Sequence, residues 1–476
     1  MDIQDTYQNP LNTRYASQEM SYIFSNNNKY ITWRKLWLEL ATAQQKVGLN
    51  ISNNAIEELT QNLTNINYET VKEYEKQTKH EVMAHLKAYA SQCKNASKIL
   101  HLGETSAYIM DNSDLIIYKQ ALDLIEKRLI TLMNYLYKFC DKNKAIATLS
   151  FTHFQPAQPT TVGKRGTLWL QSFLFDLENL NFFQTNIKLR GVKGTTGTAA
   201  SFKKLLNNDY SKLLELDSLI SKSFNFSSSL ALTSQIYDRK IDVFIGDILK
   251  SIAISTHKTT NDLRLLQHLK EIEENFSSNQ IGSSAMPYKT NPILSERISS
   301  LSKFIISLNS STDMVAITQW LERTLDDSAN KRLSLPQMFL ATDSILNLLS
   351  ELFEGIKVNH SVINKNLQDN LPFLITENIL MDLVKQGANR QTLHEEIKKL
   401  SLQALENIKE GKKNNLMDLI LKNPIFNLKE QDINAYQNEG ELIGYSIEQT
   451  EYFLKDIDLL LKKNHSKIIP IHKSTI

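Results

Sequence analysis

Leu115, Tyr118, Leu122, Ile125, Leu129, Leu132, Leu136 and Phe139 follow one another at spacings of three and four without a break. On a helix of 3.6 residues per turn that spacing keeps the side chains on one stripe, so the tract predicts a long helix with a coiled-coil type of seam. Ile241, Ile245, Ile248 and Ile252 repeat the pattern, as do Ile298, Leu301, Ile305 and Leu308, and apolar residues crowd 346–356. After Pro10 no proline occurs before Pro156, and after Pro159 none before Pro287. An interior proline removes a backbone hydrogen bond and clashes with the preceding turn, so these gaps permit long helices. The tracts predict long antiparallel helices of a bundle. Phe173, Phe175, Phe182 and Phe183 fall on more than one face of their helix, which predicts burial on several sides and hence an oligomer.

The N-terminal part is also helical in pattern, with Trp33, Leu36, Trp37 and Leu40 on one face, and it breaks at His101-Leu102-Gly103. From Val358-Asn359-His360 the pattern becomes shorter and more charged. The expected division is all-α and tripartite: residues 1–105, a central long-helix bundle over 106–358, and 359–476. Hydrophobic residues at 41% and charged residues at 22% exclude a disordered chain. A net charge of +2 offers nothing to nonspecific nucleic-acid binding. Cys93 and Cys140 form neither a disulfide framework nor a metal-ligand spacing, and no apolar tract is long enough to span a bilayer. The acidic N-terminus lacks the apolar run of a secretory signal, so a soluble, cytoplasmic protein is expected.

The segment from Gly282 to Pro292 packs Ser283, Ser284, Lys289 and Asn291 between glycine and prolines. It predicts a polar loop that can close over an anion. His153 stands beside Pro156 and Pro159, in a turn or at a helix start; such a histidine is more often incidental, yet imidazole is the side chain best suited to donate a proton near neutral pH. His80 and His85 are five apart, about 140° on a helix, and cannot share a metal from one face. One inward and one outward ring is expected. Gly191 to Thr198 lacks the Gly-Lys-Ser/Thr ending of a nucleotide loop, which leaves two readings, a close helix–backbone contact or an anion cradle. Trp320 to Arg332 also has two: a solvated helix surface with internal ion pairs, or a phosphate site built from Arg323, Ser328 and Arg332.

Gly282 to Asn291 meets every fixed position of Gly-Ser-Ser-x-Met-Pro-x-Lys-x-Asn and so resembles the signature of the fumarase/aspartase superfamily. With Arg14-Tyr15-Ala16-Ser17, Thr32-Trp33-Arg34, His101 to Ser106, Phe151 to Gln158, Gly191 to Thr198, Glu322 to Asn330, Leu371-Pro372-Phe373 and Thr376-Glu377-Asn378, the chain is similar nearly end to end to the adenylosuccinate lyase family in its animal-type form. The resemblance implies a three-domain all-α chain whose central helices assemble into a homotetrameric core. It implies elimination of fumarate from adenylosuccinate and from the succinyl-carboxamide ribotide of purine synthesis. Ser283 would be the base, with Ser284 as the alternative hydroxyl, and His153 the acid that protonates the departing nitrogen. Lys289 and Asn291, with Thr105 and Ser106, would hold the succinyl carboxylate. His80, flanked by Lys79 and Glu81, would assist beside the acid. Arg14, Tyr15, Arg297, Arg323, Ser328 and Arg332 would meet the nucleotide and its phosphate, and Gln235 the substrate. No metal and no organic cofactor is implied.

The chain departs from the family pattern in three places. Lys79-His80-Glu81 replaces Arg-His-Asp, Thr290 replaces a basic residue, and Ala199 replaces a glutamine. Lysine loses the guanidinium fork, and glutamate carries its carboxylate one methylene further out. Because the motifs lie on widely separated segments, an active site assembled from several subunits is expected. Two other readings stand beside this one. A sister lyase acting on argininosuccinate would have no use for a phosphate pocket of Arg323, Ser328 and Arg332. A non-catalytic helical scaffold would not need His153, Ser283 and Lys289 together.

Overall fold

The computed structural model describes residues 3–276, 282–436 and 439–473, and helices dominate it. Near the N-terminus α1 (Asn26–Lys46) buries Trp33, Leu36, Trp37 and Leu40, the stripe that their spacing predicts. Ser25 starts it by accepting the Asn28 amide on its side chain. Helix α2 (Glu81–Gln92) is capped by His80. After the turn at 101–104, Thr105 opens α3 (Ser106–Lys142), 37 residues long, and all eight residues of its predicted seam are buried.

Between α3 and the next helix the chain forms an antiparallel hairpin, β1 (Ala147–Thr152) and β2 (Gln155–Thr161), which the sequence pattern does not announce. Pro156 and Pro159 fit there because each strand of a two-stranded sheet has a free edge. His153 and Phe154 make the two-residue turn, with φ of 53° and 57°. Positive φ at both positions matches the twist of the flanking strands, although glycine or asparagine is the usual solution. Helices α4 (Val162–Asn186), α5 (Lys240–His268), α6 (Ile293–Leu308) and α7 (Asp327–Gly355) complete the bundle with α3. Ile245, Ile252, Ile298, Ile305 and Leu346 sit in its core. Residues 282–292 lie outside any helix, as their glycine and prolines predict.

Past α7 come shorter helices, beginning with α8 (His360–Leu374) and ending with α9 (Ser446–Lys463). Leu367 and Leu374 of α8 pack on Leu149 of the hairpin, and α9 lies on α3 and α4. Besides the bundle core, one apolar cluster joins α1 and the start of α3 to Leu189, Phe202, Ile220 and Tyr237, and another lies within 371–433. The fold is all-α with two small two-stranded sheets among the described residues. On α4, Phe173 is buried, but Leu168, Phe175 and Phe182, spaced by seven, are 50%, 55% and 74% exposed. Burial on several sides is therefore not achieved within a single chain.

Candidate active site

Four helices begin around one cleft of about 860 Å³. Residues 80–82 at α2, 105–107 at α3, Arg239 at α5 and Asp327 with Ser328 at α7 all line it. A helix start carries amides without intrahelical partners and the positive end of the dipole, so convergence of four favours a negative ligand. Of the sixteen expected site residues, nine line this cleft: Lys79, His80, Glu81, Thr105, Ser106, Gln235, Arg323, Ser328 and Arg332.

Carboxylates hold the cations of the cleft in place. Glu81 accepts from Lys29 Nζ at 2.8 Å, the Tyr30 hydroxyl at 2.9 Å and Arg332 at 2.9 Å. Burial alone would raise its pKa, but Lys29 foremost, then Arg332 and Tyr30, hold it below the usual carboxylate range. The extra methylene of this glutamate is thus spanned by three donors. Arg323 donates to both oxygens of Asp327, at 2.9 and 3.0 Å. The charged run 320–332 therefore does carry an internal ion pair, but one that faces the cleft. His80 accepts the Met83 amide on Nδ1 at 3.5 Å, and its Nε2 stands 3.4 Å from Ser106 Oγ. His80 is exposed, whereas His85 is buried and stacked on Tyr30 with ring centroids 3.8 Å apart. One ring points out and one in, as their spacing requires. Among the described residues no three His, Cys, Asp or Glu side chains are grouped to hold a metal ion.

The glycine block behind the cleft is bound up internally. Arg190 donates to the carbonyls of Gly191 and Gly194 at 2.9 and 2.7 Å, while Asn112 and Asp217 accept the amides of Gly191 and Val192 at 3.0 and 2.7 Å. At those two amides the close-contact reading holds. A Cβ at Gly191 or Gly197, both at positive φ, would collide with the Asp217 carboxylate or the Thr233 carbonyl. Gln235 reaches Thr195 of this block, its Nε2 donating to the carbonyl at 2.9 Å. Glu104, one residue before Thr105, has a fully buried side chain 3.6 Å from Arg190. Burial pushes its carboxyl up to about 8 against the pull of Arg190.

Sequence reasoning missed Lys29, Tyr30, Asp111, Arg239 and Lys331, all on the cleft wall. Lys331 donates to the Tyr237 hydroxyl at 2.7 Å and to Asp114 at 3.1 Å, and Tyr237 donates to Asp242 at 2.6 Å. Burial would raise Asp111, but Arg239 first and Lys331 next hold it below the usual range. The available signal was polarity out of position: Asp111 and Asp114 interrupt an apolar helix, and Arg239 puts a cation at a helix start, where the dipole opposes it.

The other seven expected residues do not line this cleft. His153 is exposed at the hairpin tip and bonds to no described residue. In the 282–292 loop, Ser283 Oγ accepts the Met286 amide at 3.1 Å and the Ala285 amide at 3.4 Å. It is Ser283, of the two adjacent serines, that receives them. Asn291 donates to the Gly282 carbonyl at 2.8 Å, closing the loop base, and Lys289 is exposed. Arg297, on α6, lies 6.0 Å from the ring of Tyr15, and Arg14 beside it is exposed.

Residues 7–306 match the family described as Lyase, and 372–453 the one described as adenylosuccinate lyase C-terminus. The adenylosuccinate lyase of Schizosaccharomyces pombe is 44% identical over 98% of this chain and 98% of its own. That of Saccharomyces cerevisiae is 42% identical over 96% of each chain, and that of Schistosoma mansoni 42% over 95% of each. Among solved structures, 3-carboxy-cis,cis-muconate lactonizing enzyme from Pseudomonas putida superposes with a TM-score of 0.82 at 19% identity, over 95% of this chain and 99% of its own. Fumarate lyase from Mesorhizobium sp. BNC1 does so at 0.80 and 18%, over 94% and 99%. At such identities these two structures bear on the fold alone.

Proposed function

The chain belongs to the adenylosuccinate lyases of the fumarase/aspartase superfamily, and from that membership we infer that it eliminates fumarate from adenylosuccinate to give AMP. As a carbon–nitrogen lyase of purine nucleotide biosynthesis it also cleaves succinylaminoimidazole carboxamide ribotide to the carboxamide ribotide and fumarate. The observation that carries this reading is the convergence of four helix starts on one cleft whose cations Lys29, Lys79, Arg239, Arg323, Lys331 and Arg332 outnumber its carboxylates Glu75, Glu81, Asp111, Asp114 and Asp327. A ligand with a dicarboxylate at one end and a phosphate at the other suits that field, and argininosuccinate lacks the phosphate.

Ser283 takes the proton from the carbon beside a succinyl carboxylate. The amides of Ala285 and Met286, directed at its oxygen, favour the ionised hydroxyl that this step requires. The electron pair of the broken C–H bond forms the double bond of fumarate as the C–N bond breaks, and His153 protonates the departing nitrogen. Lys289, Asn291, Thr105 and Ser106 bind the carboxylates, and His80, braced on Ser106, assists the acid. Lys79 and Glu81 line the pocket beside it. Arg14, Tyr15, Arg297, Arg323, Ser328 and Arg332 bind the nucleotide and its phosphate, and Gln235 the substrate.

Since the hairpin, the loop and the Arg14 segment do not line the cleft of their own chain, other copies bring them to it in a homotetramer. The apolar stripe of Leu168, Phe175 and Phe182 supports that assembly. The units 1–105, 106–358 and 359–476 divide the labour between cleft wall, assembly core and hairpin support. The free, buried Cys93 and Cys140 suit a reducing cytoplasm, and no described helix is long and apolar enough to cross a membrane. The test is to incubate the purified protein with adenylosuccinate and follow fumarate. Release is expected; no release, with argininosuccinate turned over instead, would move the chain to the sister lyase.

A further inference from the structure

We propose that Arg239 is a positioning residue that sets Arg323 at the cleft wall by way of Asp327, a role that rests on the reading of Arg323 as a phosphate contact. The side chain of Arg239 is 2% exposed. Its two terminal nitrogens donate to the two oxygens of Asp111, each at 3.1 Å, and its Nε donates to Asp327 Oδ2 at 2.8 Å. Asp327, 1% exposed, receives Arg323 through both oxygens on its other side. The ring of Tyr237 supports the Arg239 guanidinium from 4.3 Å. One carboxylate is thus shared by two guanidiniums, one locked in the interior and the other 21% exposed at the cleft.

The arrangement does two things. Arg239 fixes the Asp327 carboxylate from behind, so Arg323, whose Nη1 donates to both of its oxygens, has one geometry rather than several. It also keeps the buried group of Asp111, Arg239, Asp327 and Arg323 neutral as a whole, so neither carboxylate is left in the interior without a cation. Against the dipole of this helix start, the cation is held by Asp242 in the first turn, by the Tyr237 ring and by the tertiary carboxylates Asp111 and Asp327.

The test uses the full-length enzyme and Arg239→Lys, which keeps the charge and loses the fork. The KM for adenylosuccinate and the inhibition constant for AMP are expected to rise about tenfold, the worth of one charge-assisted hydrogen bond. Expected alongside are a kcat within about twofold and an unchanged inhibition constant for fumarate, which has no phosphate. Arg323→Met alone should weaken AMP, and adding Arg239→Lys to it should cost nothing further. Equal weakening of AMP and fumarate, or fold-changes that multiply in the double variant, would overturn the proposal. If Arg323→Met leaves AMP binding intact, the phosphate reading fails and the positioning role falls with it, an outcome distinct from the other two. Asp111→Asn, which loosens Arg239 from behind while preserving volume, should act in the same direction with smaller size. It carries the test if the lysine variant does not fold.

Discussion

Ser283 and His153, the proposed base and acid, are presented by different local devices. Ser283 sits in a loop turn in which the amides of Ala285 and Met286 converge on its oxygen, whereas His153 rides the tip of a hairpin at positive φ. A left-handed conformation at two non-glycine residues costs about 1–3 kcal/mol each and persists where the surroundings enforce it. Ser283→Ala and His153→Ala are each expected to lower kcat by about 10²–10⁴-fold with circular dichroism and native mass unchanged. A near-normal rate in either variant would remove that residue from the mechanism. His85 and His101 act on stability instead. Burial lowers both to about 4 from 6.5, and for His101 the indole N–H of Trp37 donates to Nδ1 at 3.1 Å, which requires that nitrogen unprotonated. Below about pH 6.5 the unfolded chain binds protons that the folded chain refuses, so this contribution is whole above that pH and is lost as pH falls towards 4. Thermal midpoints measured across that window should fall, and less steeply in a His85→Gln/His101→Asn variant.

Among the elements, the α3 seam was legible in the spacing alone, because a helix translates three-four alternation directly into one buried stripe. Leu129, at its centre, is fully buried in the bundle core. Leu129→Ala is expected to cost about 2–5 kcal/mol, read as a lower urea midpoint at unchanged slope. The hairpin was not legible. Its turn lacks glycine and asparagine, its second strand carries two prolines, and its support comes from α8 more than two hundred residues later. Strand pairing of that kind is decided by contacts that no local window contains.

At the scale of the molecule, the open face of α4 and the seven expected residues that do not line the cleft point the same way. Leu168, Phe175 and Phe182 repeat every seven residues and face solvent in one chain. Large exposed apolar side chains in register signal a partner surface. Phe175→Lys with Phe182→Lys is expected to reduce the native mass seen by light scattering and to abolish activity together with it. Retention of the parent's assembly and rate would show that this face is not the one that completes the site.

The long-helix tracts, their buried stripes and the helix-free polar segment at 282–292 were determined by the sequence, since each follows from periodicity or backbone-breaking residues, while the proposed chemistry-bearing side chains were named through local motifs and the family resemblance. Only the tertiary structure decided which of those side chains share a cleft. It gathered four helix starts around one cleft, placed Lys29, Arg239 and Lys331 on its wall, and left His153 and Ser283 outside its lining. The physical reason is range: a motif reports on a few successive residues, whereas a buried charge is tolerated only where distant segments bring it a partner.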